Sequence, residues 1–436
     1  MIRRLDINSD SYKDDLAALA ASSPVAQIEI QNRVSAILED VRTHGDTALL
    51  KYAQDFDGVK AETAAGLEVD KSLLEKALNE IDPELKAALE TAAQRIRDYH
   101  QHQQEGVSRG DYEFEDQYLN RFWQKTIPMD KVGLYVPGGK AFYPSSVLMN
   151  AIPAKVAGVK EITMVSPANN EGKINQTVLA AAYISGIERI FKVGGAQAIG
   201  ALAFGTNEIS KVDVITGPGN IYVTTAKKLI FGSTGIDSLA GPSEILIIAD
   251  NSANSIQLAT DLLAQAEHDP FASAILLTTN SSLAMQVSDE IYKQLEYHPR
   301  KEICMRSIKD WGLIGICESL ENCIEFSNLF APEHLEIITK NPKDILKKIE
   351  NAGAVFLGQW TPEAVGDYIA GPNHTLPTSG NARFSGALGV ETFMKNTSII
   401  EFNEKSLQKN SSDIINLANS EGLHSHANSV KVRFKN

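Results

Sequence analysis

The texture of hydrophobic and polar positions changes twice along the chain. Residues 1 to about 130 carry apolar positions at helical spacing, as in "IQNRVSAILEDVRTHGDTALLKYAQDFDG" and "DPELKAALETAAQRIRDYHQHQQ", and predict a mainly helical region with a charged surface. His100 and His102, two apart, diverge on such a helix and read as surface histidines. From Lys131, short apolar runs end in Gly/Pro turns, and each is followed by a helical stretch. The runs are "VGLYVPGG", "EITMVSPA", "RIFKVGGAQ", "VDVITGPGN", "EILIIAD", "ASAILLTT", "WGLIGIC", "LEIIT" and "AVFLG". From about Asn381 the chain turns polar and predicts helix again, ending in "INLANSEGLHSHANSVKVRF". Strands alternating with helices imply parallel sheets with right-handed crossovers. Nine strands crowd one sheet of this length. The expected fold is therefore α/β, with two Rossmann-like parallel-sheet domains, a helical N-terminal region and a C-terminal helical tail. The expected division is an N-terminal segment (1–20), a larger α/β domain (21–130 plus 243–380), an α/β domain inserted within it (131–242), and the tail (381–436).

One helix ends unusually. In "LLAQAEHDP" the buried face is supplied by Ile256, Ala259, Leu262, Leu263 and Ala266, with Asn254 or Ser255 as the cap and Pro270 as the stop. Gln265 and His268 fall three apart on one face at its end. Alone they read as a polar helix end; a metal site needs further ligands from elsewhere.

Composition narrows the classes. A chain of 436 residues, 43% hydrophobic and 22% charged, is a multi-domain globular protein. The net charge of −14, without a Lys/Arg block, argues against nucleic acid as the partner. "MIRRLDINSD" lacks the apolar core of a signal peptide, and no apolar run reaches the ~20 residues of a membrane span. Cys304, Cys317 and Cys323 form no CxxC pair and read as buried free thiols, so a cytoplasmic setting is expected.

Four stretches could carry chemistry. "VGGAQAIG" and "TGPGNIYVTTAKKL" follow strands and open helices, and with "YVPGG" they tip the reading modestly towards a bound nucleotide. Neither is a full GxGxxG fingerprint. In "FAPEHLEIIT", Glu333 and His334 sit at a strand lip, where α/β enzymes place reactive groups. "PEAVGDYIAGPNHTLPTSG" places Asp367 and His374 in a Gly/Pro-rich loop, and "EGLHSHANSV" offers Glu421, His424 and His426.

In this order, "VGLYVPGG", "VGGAQAIGALAFGT", "GPGN", "AGPSE", "LLAQAEHDP", "PEHLEI", "GDYIAGPNHTLPTSG" and "EGLHSHANSV" resemble the histidinol dehydrogenases, from about residue 30 to the C-terminus. The resemblance implies oxidation of L-histidinol to L-histidine through L-histidinal with two NAD in succession, the last step of histidine synthesis. It implies one zinc (Zn2+) per subunit, held by Gln265, His268, Asp367 and His426. Two imidazoles, a carboxylate and a neutral amide leave such a metal net positive charge and room for substrate. Glu333 and His334 match the catalytic pair. Ser243, His374 and Glu421 match substrate contacts, alongside Gln265, His268, Glu333, His334, Asp367 and His426. Tyr135, Gln197 and Asn220 match positions that hold NAD. The 131–242 domain would then be the NAD-binding one, the larger domain would hold zinc and substrate, and the 381–436 tail would serve dimerisation. The implied assembly is a homodimer with active sites shared between subunits. The spacing "EGLxxHA" selects His426 over His424. A zinc hydrolase is the rival reading, but HExxH is absent and a hydrolase has no use for three Gly-rich turns.

Overall fold

Strands covered on both faces read as unbroken apolar strings, and in the computed structural model all nine strings form parallel strands. The structure describes residues 2–6, 24–108, 112–138, 143–169 and 171–434. Most of the expected 1–20 segment therefore lies outside the described residues. The strands are β1 (Arg3–Asp6), β2 (Glu113–Glu115), β3 (Arg121–Pro128), β4 (Lys131–Tyr135), β5 (Glu161–Ser166), β6 (Arg189–Lys192) and β7 (Val214–Thr216). They continue with β8 (Gly235–Ile236), β9 (Glu244–Ala249), β10 (Ser273–Thr278), β11 (Gly312–Ile316), β12 (His334–Ile338), β13 (Ala354–Leu357) and β14 (Met394–Glu401).

Two parallel sheets result. One has five strands in the order β6-β5-β4-β7-β8; the other has six in the order β1-β11-β10-β9-β12-β13. Alternate residues feed opposite layers, as the two-residue strand period requires. In the first sheet Val132, Leu134, Ile162 and Met164 enter one core, while Tyr135, Val165, Phe191 and Ile215 enter the other. In the second, Ile245 and Ile247 face one layer, and Leu246 and Ile248 face the other.

The helices of the N-terminal region complete the five-stranded sheet. Val34, Leu38 and Val41 of helix Pro24–His44 pack with Ile199 and Leu202, and Leu89 and Ile96 of helix Pro83–Ser108 pack with Leu148 and Ile152. The sequence reading groups 21–130 with 243–380; in the structure these apolar stripes are buried on 131–236. His100 differs from its expected place on the surface. It is fully buried, with Nδ1 2.8 Å from the Ile96 carbonyl oxygen, because its face of the helix is covered.

Two regions read as helical contain strands. β3 pairs antiparallel with β2 and with β14, so the tail begins with a strand before its helices Glu404–Ser420 and His424–Lys431. The side chains of β3 and β14 are mostly half-exposed or exposed, so neither shows an apolar run. β1 adds an edge strand beside β11.

One connection positions everything that follows. The chain leaves the carboxyl end of β8 and enters the amino end of β9 within residues 237–243. The carboxyl edge of one sheet thereby meets the amino edge of the other. Thr224 Oγ1 donates to the Ala240 carbonyl oxygen (3.0 Å), and Asn150 Nδ2 donates to Thr375 Oγ1 (3.3 Å) across the junction.

Candidate functional site

Helix Leu320–Phe330 ends at Ala331 in the left-handed region (φ 54°), and Pro332 prevents its continuation. The chain then enters β12 through Glu333 and His334. Sequence reasoning places this pair at the lip of a strand, just before the apolar run "LEIIT", whereas α/β folds usually react at the carboxyl ends of their strands. The structure puts it at the amino end, with His334 opposite Ile245 of β9 and Ala354 of β13. At the head-to-tail junction, this amino edge of the six-stranded sheet is the one facing the other sheet.

The backbone of Glu244 holds both residues. Its N–H donates to Glu333 Oε2 (2.9 Å), and its carbonyl oxygen lies 3.0 Å from His334 Nδ1. That contact assigns the proton to Nδ1 and leaves the lone pair on Nε2, which is buried without a partner. Burial pushes the His334 imidazole down to about 3, so it is neutral at pH 7. Burial raises the Glu333 carboxyl well above the usual range, against the lowering effect of the Glu244 N–H.

Facing His334 is a cluster of potential ligands. Gln265 ends helix Ser255–Ala266, capped by Asn254, while His268 lies just beyond the helix, its N–H donating to the Gln265 carbonyl oxygen (3.2 Å). Asp367 belongs to the short helix Glu363–Tyr368 and not to the expected loop; Pro362 starts that helix. Ligand atoms of His268, Asp367 and Glu363 all lie within 4.8 Å of one another. Sequence reasoning missed Glu363; its only signal was the i, i+4 spacing from Asp367. With the Gln265 amide oriented so that Nε2 donates to both Glu363 oxygens (2.8 and 3.0 Å), its side-chain oxygen Oε1 is turned away from Glu363 and can serve as a ligand.

The electrostatics favour a cation here. Burial raises Glu363 well above its ordinary value, helped by Asp367 and Glu333, and raises Asp367 to about 6. Burial lowers His268, and lowers His374 to about 4 with help from His268, so both imidazoles are neutral ligand types. His374 Nδ1 lies 3.8 Å and His334 Nε2 4.0 Å from Asp367 Oδ1. Ser243, half-buried, immediately precedes β9 at the same edge.

The three glycine-rich turns lie at the carboxyl ends of the other sheet. Tyr135 ends β4, and its hydroxyl accepts the Gly195 N–H (3.2 Å). Gln197 lies in the first turn of helix Gly195–Phe204, its amide 3.4 Å from Asp57, which also accepts the Gly194 N–H (3.0 Å). Asn220 caps helix Ile221–Ile230 through Oδ1. Tyr135 and Asn220 lie at the ends of adjacent strands, where the sheet order reverses direction. A cavity of about 480 Å³ is lined by Gly138, three residues past Tyr135, with Pro167, Ala168 and residues 54–58.

The tail stays apart. Glu421, His424 and His426 are exposed, and the tail is fastened instead to residues 118–120: Asn403 Nδ2 donates to the Tyr118 carbonyl oxygen (2.6 Å), and Asn120 Nδ2 to Ser406 Oγ (2.6 Å). Within one chain the structure thus gathers Gln265, His268, Glu333, His334, Asp367 and His374, but not Glu421 or His426.

Comparisons with known proteins agree on one family. The profile described as histidinol dehydrogenase matches residues 21–434. Histidinol dehydrogenase of Prochlorococcus marinus subsp. pastoris is 67% identical over 407 residues, covering 93% of this chain and 94% of its own. That of Geobacter sulfurreducens is 48% identical over 434 residues, covering 100% of both. The crystal structure of histidinol dehydrogenase from Elizabethkingia anophelis superposes with a TM-score of 0.89 at 36% identity, covering 99% of this chain and 98% of that one.

Proposed function

This chain belongs to the histidinol dehydrogenase family, and from that premise we propose that it performs the NAD-dependent, four-electron oxidation of L-histidinol to L-histidine through L-histidinal, the last step of histidine synthesis. The observation that carries the reading is the neutral, partnerless His334 Nε2 aimed at the His268–Glu363–Asp367 cluster, with Glu333 fixed beside it.

The cluster suits zinc, since its crowded buried carboxyls are relieved by a divalent cation and its imidazoles are neutral. Gln265, His268 and Asp367 would hold it, with His426 of a second copy as the fourth protein ligand. Bound there, zinc supplies a template that grips and polarises the substrate, and NAD supplies the acceptor for each hydride. Tyr135, Gln197 and Asn220 would hold NAD, within residues 131–242 as the cofactor unit.

The chain's own groups move the protons. His334 Nε2 accepts the hydroxyl proton as hydride leaves the alcohol carbon, and a neutral imidazole is suited to that task. Glu333 takes a proton from the water that adds to the aldehyde; burial makes its carboxylate a stronger base. As that water adds, His334 returns its proton to the aldehyde oxygen, and, neutral again, it accepts the proton of the hydrate as the second hydride leaves. Ser243, His374 and Glu421 would contact the substrate.

We read the assembly as a homodimer in which each tail completes the partner's site, because the anchoring of the tail at residues 118–120 leaves Glu421 and His426 exposed. No described helix is long and apolar enough to cross a membrane; we place the enzyme in the cytoplasm, with no nucleic acid or membrane partner. Titrating limiting histidinol against excess NAD on zinc-loaded enzyme tests the whole reading. Two NADH per histidinol are expected; one NADH with free aldehyde accumulating overturns it.

A further inference from the structure

Lys227 is 2% exposed, and it points from the second turn of helix Ile221–Ile230 back at the turn that precedes it. Its Nζ donates to the Gly217 carbonyl oxygen (3.0 Å) and to Asp237 Oδ1. The side chain of Asp237 is equally buried. Its Oδ2 accepts the Gly217 N–H (2.8 Å), and its Oδ1 accepts the Ser238 N–H (2.6 Å). Both polar backbone atoms of Gly217 are therefore gripped by opposite charges of one buried ion pair.

Taking an ion pair out of water seldom adds net stability. What this pair adds is a fixed geometry, since charge-assisted hydrogen bonds hold both ends of one residue. Gly217 has φ +106°, and a Cβ there would lie 2.0 Å from the Tyr135 carbonyl oxygen. Its torsions set the path of residues 217–220, and so place Asn220 beside the end of β4. Thr224, on the same helix, is tied to Ala240 in the segment that begins at Asp237.

We propose that Lys227 and Asp237 are positioning residues for the dinucleotide, locking the 217–220 turn so that Asn220 and Tyr135 face it together. The inference rests on the reading that these two residues hold NAD.

The test measures the Kd for NAD on zinc-loaded enzyme by calorimetry, and the steady-state constants, for Lys227→Met/Asp237→Asn. Tyr135→Ala and Asn220→Ala serve as probes of the underlying reading. The double variant keeps shape and removes both charges. Its Kd and KM for NAD are expected to rise about tenfold or more, with kcat at saturating NAD and KM for histidinol within about threefold. A merely structural role would lower the melting temperature without that split. Should the double variant fail to fold, Asp237→Asn alone reads the same ratio. If Tyr135→Ala and Asn220→Ala weaken NAD binding while the ion-pair variant does not, the positioning role is overturned. If histidinol binding weakens as much as NAD binding, it is overturned as well. If neither alanine variant affects NAD, the cofactor reading itself fails.

Discussion

Glu244 does more than its position in a strand suggests. Its backbone holds Glu333 and His334, while its side chain accepts the Ser379 N–H (3.0 Å) and is otherwise sealed in, with Oε2 unpartnered. Burial pushes its carboxyl up to about 7. Because the folded value lies above the ordinary 4.5, its contribution to stability is intact below pH 4.5 and is lost as pH rises through about 7. Glu244→Gln keeps an acceptor for Ser379 and cannot ionise. Thermal melts should show the variant gaining on the parent between pH 4.5 and 7, by up to about 3 kcal/mol, and no further gain above that. The proposed catalytic pair should separate by half-reaction. His334→Asn should slow both hydride steps by ~10²–10⁴-fold, the usual cost of a lost base. Glu333→Gln should slow oxidation of histidinal far more than oxidation of histidinol, as only the aldehyde needs water; rapid-mixing assays on each substrate measure the ratio, and equal losses would remove Glu333 from its role. Glu333 and His334 stand out in "PEHLEI", but Glu244 and Glu363 do not, because each is placed by contacts made only in the fold, Glu244 with Glu333 and Glu363 with His334 and Gln265.

The nine apolar strings announced nine strands because both faces of each sheet are covered. β3 and β14 were illegible for the opposite reason: their exposed, mixed faces gain their order from a ladder with each other. The junction was also hidden, since only the packed sheets show that the amino edge of one meets the carboxyl edge of the other. Within the five-stranded sheet, the turn after β7 closes tightly on the end of β4, where a Cβ on Gly217 would lie 2.0 Å from the Tyr135 carbonyl oxygen. Gly217→Ala must push either Tyr135 or the turn aside, at a cost of about 1–3 kcal/mol for the backbone conformation alone. A lowered melting temperature together with weaker NAD binding is expected. An unchanged melting temperature would mean that the turn is laxer than its geometry indicates.

At the scale of the molecule, the body gathers most of the proposed site residues, while Glu421 and His426 of the tail stay exposed. Shared sites predict complementation. Mixing and re-assembling His334→Asn with His426→Asn puts both lesions in one site of a mixed dimer and leaves the other site whole, restoring up to about half of the activity per mixed dimer. Mixtures that stay inactive after subunit exchange would show that each chain builds its own site. The β3–β14 ladder has a different consequence, set by the order in which the chain is made. It joins Pro128 to Met394 and Arg121 to Glu401. At typical synthesis rates, β3 therefore waits roughly 15 to 55 s on the ribosome before its partner emerges. Throughout that interval Phe122, Trp123 and Ile127 belong to an edge whose closing strand does not yet exist. A nascent chain of this protein presents that edge until β14 is made, and one released before residue 394 lacks the strand that closes it.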